Sequence, residues 1–263
     1  FRMLAGYLVH IDGALTREYE AVDPSVDTKL LGRLEALLYR GGKIALLTGR
    51  TEQWLDRHLL PLISYDDFLI LGEYGNFRIW RGERYWDDKA HEFERQYREQ
   101  LKERIGLIAK RHGVKVKHDE RDYEPRSGEL WFAPGVGVLS VRTNRHGHGF
   151  GGRVDAGLVY EITKQAIKES GLPEEDFDIE KTPVSTVVSS RGVNLENAAR
   201  IAVETLDPEA FLDKWYAFGR VMDESMAYDP RIQFVCVSSK ASKDVWDFLS
   251  KLRNIDLHAE GEY

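Results

Sequence analysis

Leu4-Ala5-Gly6-Tyr7-Leu8-Val9-His10-Ile11-Asp12-Gly13-Ala14-Leu15-Thr16 is the stretch on which the fold turns. Its first six residues carry no charge, and the run ends abruptly at His10 and Asp12-Gly13. An unbroken apolar run, instead of apolar–polar alternation, marks a strand covered on both faces, as in a parallel sheet between helices. Ile44–Leu47, Phe68–Leu71, Trp215–Phe218 and Phe234–Val237 repeat the pattern. Amphipathic stretches separate these runs. Leu30, Leu31, Leu34, Leu37 and Leu38 form one apolar stripe, stopped by Gly41-Gly42. Ala198, Ile201, Ala202 and Leu206 form a second, and Val245, Trp246, Phe248, Leu249 and Leu252 a third. Strand–helix–strand alternation predicts an α/β fold with a doubly wound parallel sheet and right-handed crossovers.

The middle of the chain breaks this rhythm. Residues 88–112 read as a long, heavily charged helix with Phe93, Tyr97, Leu101, Ile105 and Ile108 on one face. Short strand-like segments follow at Val114–Lys117, Glu129–Ala133 and Val138–Arg142, then a helix near 158–170 and a strand near 185–189. Such content predicts an α+β domain inserted at 86–189 into a core made of 1–85 and 190–263. Trp80–Trp86 reads as a hairpin leaving that core. A chain of 263 residues accommodates two such domains, since domains run to roughly 100–200 residues each.

Charge and cysteine content narrow the function classes. There are 37 Lys+Arg against 44 Asp+Glu, a net charge of -7, which argues against nucleic-acid binding. Cys236 is the single cysteine, so no internal disulfide and no multi-thiolate zinc site is expected. No apolar run approaches the ~18 residues that span a bilayer, and no secretory leader is visible. The simplest compartment is the cytoplasm.

Ligands of open α/β sheets bind beyond the carboxyl ends of the strands. Those ends read His10-Ile11-Asp12-Gly13-Ala14-Leu15-Thr16, Thr48-Gly49-Arg50-Thr51, Gly72-Glu73-Tyr74-Gly75-Asn76 and Gly219-Arg220-Val221-Met222-Asp223-Glu224, with Gly192-Val193-Asn194-Leu195-Glu196 opening a late helix. In order and spacing this series resembles the haloacid dehalogenase superfamily. It is most similar to the capped sugar-phosphate phosphatase branch: trehalose-6-phosphate, sucrose-phosphate and mannosyl-3-phosphoglycerate phosphatases and phosphomannomutase. The resemblance spans essentially the whole chain and implies a Rossmann-like core with a cap.

It also implies phosphoryl transfer through an aspartyl-phosphate, with Mg²⁺ and a lysine neutralising the transferred group. Carried over by position, His10 stands where the nucleophilic Asp belongs and Asp12 keeps the general acid/base position. Ala14 replaces the motif-one Thr, Thr48 is retained, and Leu195 replaces the lysine. Arg220 takes the place of the first metal-binding acid, leaving Asp223 and Glu224 as a residual metal pair. Losing the nucleophile alone costs on the order of 10⁴–10⁶ in rate.

The expectation is a pseudo-phosphatase: a non-hydrolytic binding, regulatory or structural protein for a phosphorylated small molecule or a protein partner, with no cofactor. Asp12, Gly13, Thr48, Gly49, Arg50, Asn194 and Arg220 form the expected ligand cradle. The opposing expectation is that Arg220 pairs with Asp12 or Asp223 and plugs the site. The alternative function is a Mg²⁺-dependent sugar-phosphate phosphatase with an unusual site. The Gly/His loop 145–153 reads either as a phosphate loop or as a mobile turn, and the basic run 110–118 as a solvated helix end and strand.

Overall fold

Alternate residues of each central strand feed two different cores, and this is why the runs are apolar throughout. The structure, a computed structural model, describes residues 5–16, 26–118, 123, 125–126, 128–143, 154–182, 184–212, 214–218 and 232–234. Its first sheet contains β1 (Ala5–His10), β2 (Lys43–Leu47), β3 (Leu69–Gly72), β4 (Phe77–Trp80), β5 (Glu83–Trp86), β11 (Lys214–Phe218) and β12 (Ile232–Phe234), ordered β12-β11-β1-β2-β3-β4-β5. All neighbours are parallel up to β3, and the hairpin β4–β5 adds an antiparallel edge.

Val9, Ile44, Leu46 and Ile70 pack on one face with Leu30, Leu31, Leu34 and Leu37 of α1 (Thr28–Tyr39) and Trp54 and Leu55 of α2 (Glu52–His58). Leu8, Ala45, Leu47, Leu69 and Leu71 pack on the other with Ala198, Ala199, Ala202 and Val203 of α6 (Leu195–Leu206). Burying a Leu or Ile completely contributes roughly 1.5–3 kcal/mol, so both faces stabilise the sheet. The α/β class and the doubly wound core are as the sequence predicts.

A second sheet, β6-β7-β8-β10-β9, is formed by β6 (Lys115–Lys117), β7 (Glu129–Ala133), β8 (Val138–Thr143), β9 (Phe177–Lys181) and β10 (Ser185–Ser190). Here the residues do alternate. Leu130, Phe132, Leu139, Val141 and Val188 pack under α4 (Glu99–Arg111) and α5 (Ala156–Glu169). Trp131, Ala133, Ser140, Arg142, Ser185 and Val187 line the opposite face. This sheet with its helices is the α+β cap. The charged helix beginning at 88 is α3 (Asp88–Phe93), a wide turn at Glu94–Arg98, and α4.

The sequence reading did not include β9, and it placed the last core strand later. β9 alternates as Phe-Asp-Ile-Glu-Lys, a period-two signal hidden by three charges in five residues. The last core strand is described as Ile232–Phe234, earlier than the predicted Phe234–Val237, of which only Phe234 lies inside the described residues. The 245–252 helix, Cys236 and the 145–153 loop also lie outside them. Among the described residues, no helix is long and apolar enough to cross a membrane.

Candidate functional site

The carboxyl ends of β1, β2 and β3 converge because their loops are stitched together by backbone hydrogen bonds. After β1 the chain makes one wide turn, Ile11–Leu15, closed by Thr16 N–H donating to the Ile11 carbonyl at 3.0 Å. After β3, Glu73 N–H donates to the Arg50 carbonyl at 2.9 Å and Tyr74 N–H to that of Thr48 at 3.0 Å. The Tyr74 ring lies against Gly49, where a Cβ would sit 2.7 Å from the ring, so position 49 requires glycine. Glu73 and Tyr74 adopt left-handed backbone (φ 46° and 58°), a strain of order 1 kcal/mol each that the surrounding bonds must hold.

This stitching brings Arg50 to Asp12. Arg50 Nη2 donates to Asp12 Oδ1 at 2.6 Å, and Nε reaches both carboxylate oxygens at 3.1 and 3.2 Å. The Thr48 hydroxyl adds a bond to Oδ2 at 3.2 Å. The guanidinium also lies over the Trp54 ring, 4.6 Å from its centre. Asp12 is 5% exposed and Arg50 8%. Burial by itself raises the Asp12 pKa. The charge and hydrogen bonding of Arg50, with smaller help from His10 and Arg142, outweigh it and hold the carboxyl at about 2.

His10 ends β1 and is 7% exposed. Its Nδ1 lies 2.8 Å from the Asp12 carbonyl oxygen, which only accepts, so Nδ1 carries the hydrogen. Nε2 has no hydrogen-bond partner among the described residues.

Both residues line a cavity of about 340 Å³ between the first sheet and the cap. Its floor includes His10, Asp12, Arg50 and Leu195; its roof is the bare face of the cap sheet. Core and cap are tied at its margin. The buried Glu73 carboxylate accepts from Val136 N–H at 3.1 Å and Gly137 N–H at 2.7 Å, in the turn between β7 and β8. Asn76 Nδ2 donates to the Gly137 carbonyl at 3.2 Å, and the Tyr74 hydroxyl to Glu180 Oε2 at 2.7 Å. Burial pushes the Glu73 carboxyl up to about 7 despite the two N–H donors and nearby Arg98.

The remaining expected site residues are used differently. Gly13 lies within the turn after β1. Thr48 is fully buried and spends its hydroxyl on Asp12 and on accepting Arg50 N–H at 3.0 Å. Asn194 caps α6, accepting from Asn197 N–H at 2.9 Å, and donates to Asp178 at 3.0 Å. The Asp12 carboxylate meets Arg50. Arg220, Asp223 and Glu224 lie outside the described residues. Sequence reasoning missed Trp131 and Arg142, although Val138-Leu139-Ser140-Val141-Arg142 carries a period-two polar signal.

The Mg²⁺ implied by the resemblance does not fit the described donors. Mg²⁺ wants oxygen ligands in near-octahedral array. Here one expected carboxylate is the imidazole of His10, and both oxygens of Asp12 face a guanidinium. No group of three His, Cys, Asp or Glu side chains among the described residues is placed to hold a metal.

No protein-family model matches the chain. No curated protein matches it either. Solved structures do. A trehalose-6-phosphate phosphatase related protein superposes with a TM-score of 0.62 at 12% identity, covering 95% of this chain and 98% of the other. The C-terminal domain of Candida albicans trehalose-6-phosphate phosphatase gives 0.60 at 17% identity, covering 85% of this chain and 72% of that one. The ATP-bound Plasmodium falciparum IMP-nucleotidase gives 0.62 at 12%, covering 98% of this chain and 62% of the other. The chain thus has the haloacid-dehalogenase-like fold of capped phosphatases.

Proposed function

We propose that the protein binds a phosphorylated ligand in the cavity under its cap and does not hydrolyse it. One observation carries the reading: the buried Asp12 carboxylate is paired with Arg50 at 2.6 Å, directly beside a histidine at the nucleophile position. The acid/base position is thereby ionised and engaged, and Leu195 offers no charge where a lysine would neutralise phosphate. The structural neighbours are phosphatases and a nucleotidase, which favours a phosphate ester as ligand. In this reading the chain divides into a core of 1–85 and 190–263 and a cap of 86–189, works in the cytoplasm, and regulates or scaffolds according to what it binds.

Calorimetric titration with glucose 6-phosphate and inosine monophosphate, beside a hydrolysis assay of the same esters with Mg²⁺, tests it. Binding with no phosphate release is expected. Turnover abolished by His10→Ala and Asp12→Ala would establish the Mg²⁺-dependent phosphatase instead.

A further inference from the structure

The described lining of the cavity carries more fixed cations than carboxylates, although the protein as a whole carries -7. Its described lining includes three fixed cations, Arg50, Arg142 and Lys181, against two carboxylates, Asp12 and Glu180. Both carboxylates are engaged, Asp12 by Arg50 and Glu180 by the Tyr74 hydroxyl. The described cap lining holds two of the cations, Arg142 and Lys181, against one carboxylate, Glu180.

Arg142 occupies the centre of that roof. Strand register places it directly opposite Trp131 on one side and Ser185 on the other. Neighbours in register share a face, so the three form one row across the sheet. The guanidinium lies 5.9 Å from the Trp131 ring centre, and Ser185 exchanges a 2.9 Å bond with Thr182. Arg142 is near enough to help lower the Asp12 pKa, so it acts across the cavity toward the floor. His10 lines the same cavity, buried and with no printed partner for Nε2 among the described residues.

Resting on the binding reading above, we propose that the anion site is on the cap: Arg142, flanked by Trp131 and Ser185, grips the phosphate of a single-ring phosphomonoester, and the P–O–H of its monoanion donates to His10 Nε2 at the floor. Arg50 cannot serve as the floor cation, because Asp12 already neutralises it. Arginine is suited to the task by its planar fork of donors, which matches phosphate oxygens in pairs. The ring of the ligand lies beside Trp131, which lines the cavity. A volume of about 340 Å³ is at the small end of ligand pockets, which run to roughly 1,000 Å³, and so favours one ring over two.

The test measures Kd by calorimetry for inorganic phosphate, glucose 6-phosphate and glucose, on wild type, Arg142→Gln, Ser185→Ala and His10→Ala. Unchanged far- and near-ultraviolet circular dichroism screens the variants for folding. Wild type should bind both phosphates and not glucose. Arg142→Gln should weaken both by about tenfold to a hundredfold, the loss of one charge-assisted pair. Ser185→Ala and His10→Ala should weaken them by less. Equal affinity in wild type and Arg142→Gln overturns the cap site and leaves the binding reading standing. Failure of wild type to bind either phosphate overturns both. If wild type hydrolyses glucose 6-phosphate, the binding reading falls, and a raised KM with unchanged kcat in Arg142→Gln still supports the cap site.

Discussion

Arg50→Ala isolates the buried pair between Arg50 and Asp12. It removes the three hydrogen bonds that Arg50 donates to Asp12 and keeps the one from the Thr48 hydroxyl. Removing one partner of a buried pair costs about 3–5 kcal/mol, because the other charge stays desolvated. For a chain of this size that is a fall of roughly 6–20 °C in Tm, at about 2–4 °C per kcal/mol. The pH dependence carries the sharper prediction. In the wild type, Asp12 is lowered from 3.8 to about 2, so it contributes about 2 kcal/mol above pH 3.8, lost as pH falls through 2. In Arg50→Ala, burial dominates and the pKa moves above 3.8. The carboxyl then costs stability at neutral pH and protonates on mild acidification. The deficit of the variant relative to wild type should therefore be largest near pH 7 and shrink toward pH 4. Asp12→Asn in the Arg50→Ala background should recover most of the loss. Urea denaturation followed by tryptophan fluorescence at pH 7 and pH 4 reads both effects. A deficit under about 1 kcal/mol at pH 7, or one of equal size at both pH values, refutes the reasoning.

Glu73 titrates with the opposite sign: raised from 4.5 to about 7, it contributes stability that is full below pH 4.5 and lost as pH rises through 7, of order 3 kcal/mol. Glu73→Gln should flatten that slope in urea denaturation between pH 4.5 and 7; an unchanged slope would assign it to another group. Gly49→Ala drives a Cβ to 2.7 Å from the Tyr74 ring and should destabilise by about 1–3 kcal/mol, read by thermal denaturation. His10→Asp alone should yield no turnover of p-nitrophenyl phosphate with Mg²⁺, because Asp12 remains paired with Arg50; measurable phosphate release would show that the pair does not block catalysis.

The central strands of the first sheet were legible because both of its faces are covered, which turns each of them into an unbroken apolar run such as Leu4–Val9. The hairpin at 80–86 and the cap strands at 129–133 and 138–142 were legible from their local pattern. β9 was not, since Asp178, Glu180 and Lys181 dilute its period-two signal and its antiparallel partner β10 supplies the pairing. In the site, His10, Ala14 and Leu195 could be set against the resembled motifs by position along the chain.

Which cation answers Asp12 could not be read that way. Arg50 is 38 residues away, and it reaches the carboxylate only because β1 and β2 pair in parallel, ending His10 beside Leu47. The placement of Arg142 over the cavity depends in the same manner on the register of β7, β8 and β10. Local sequence sets apolar period, caps and turns, because those interactions span a few residues. Charge pairing acts through space over a few ångströms, and only the folded chain decides which distant side chains come that close.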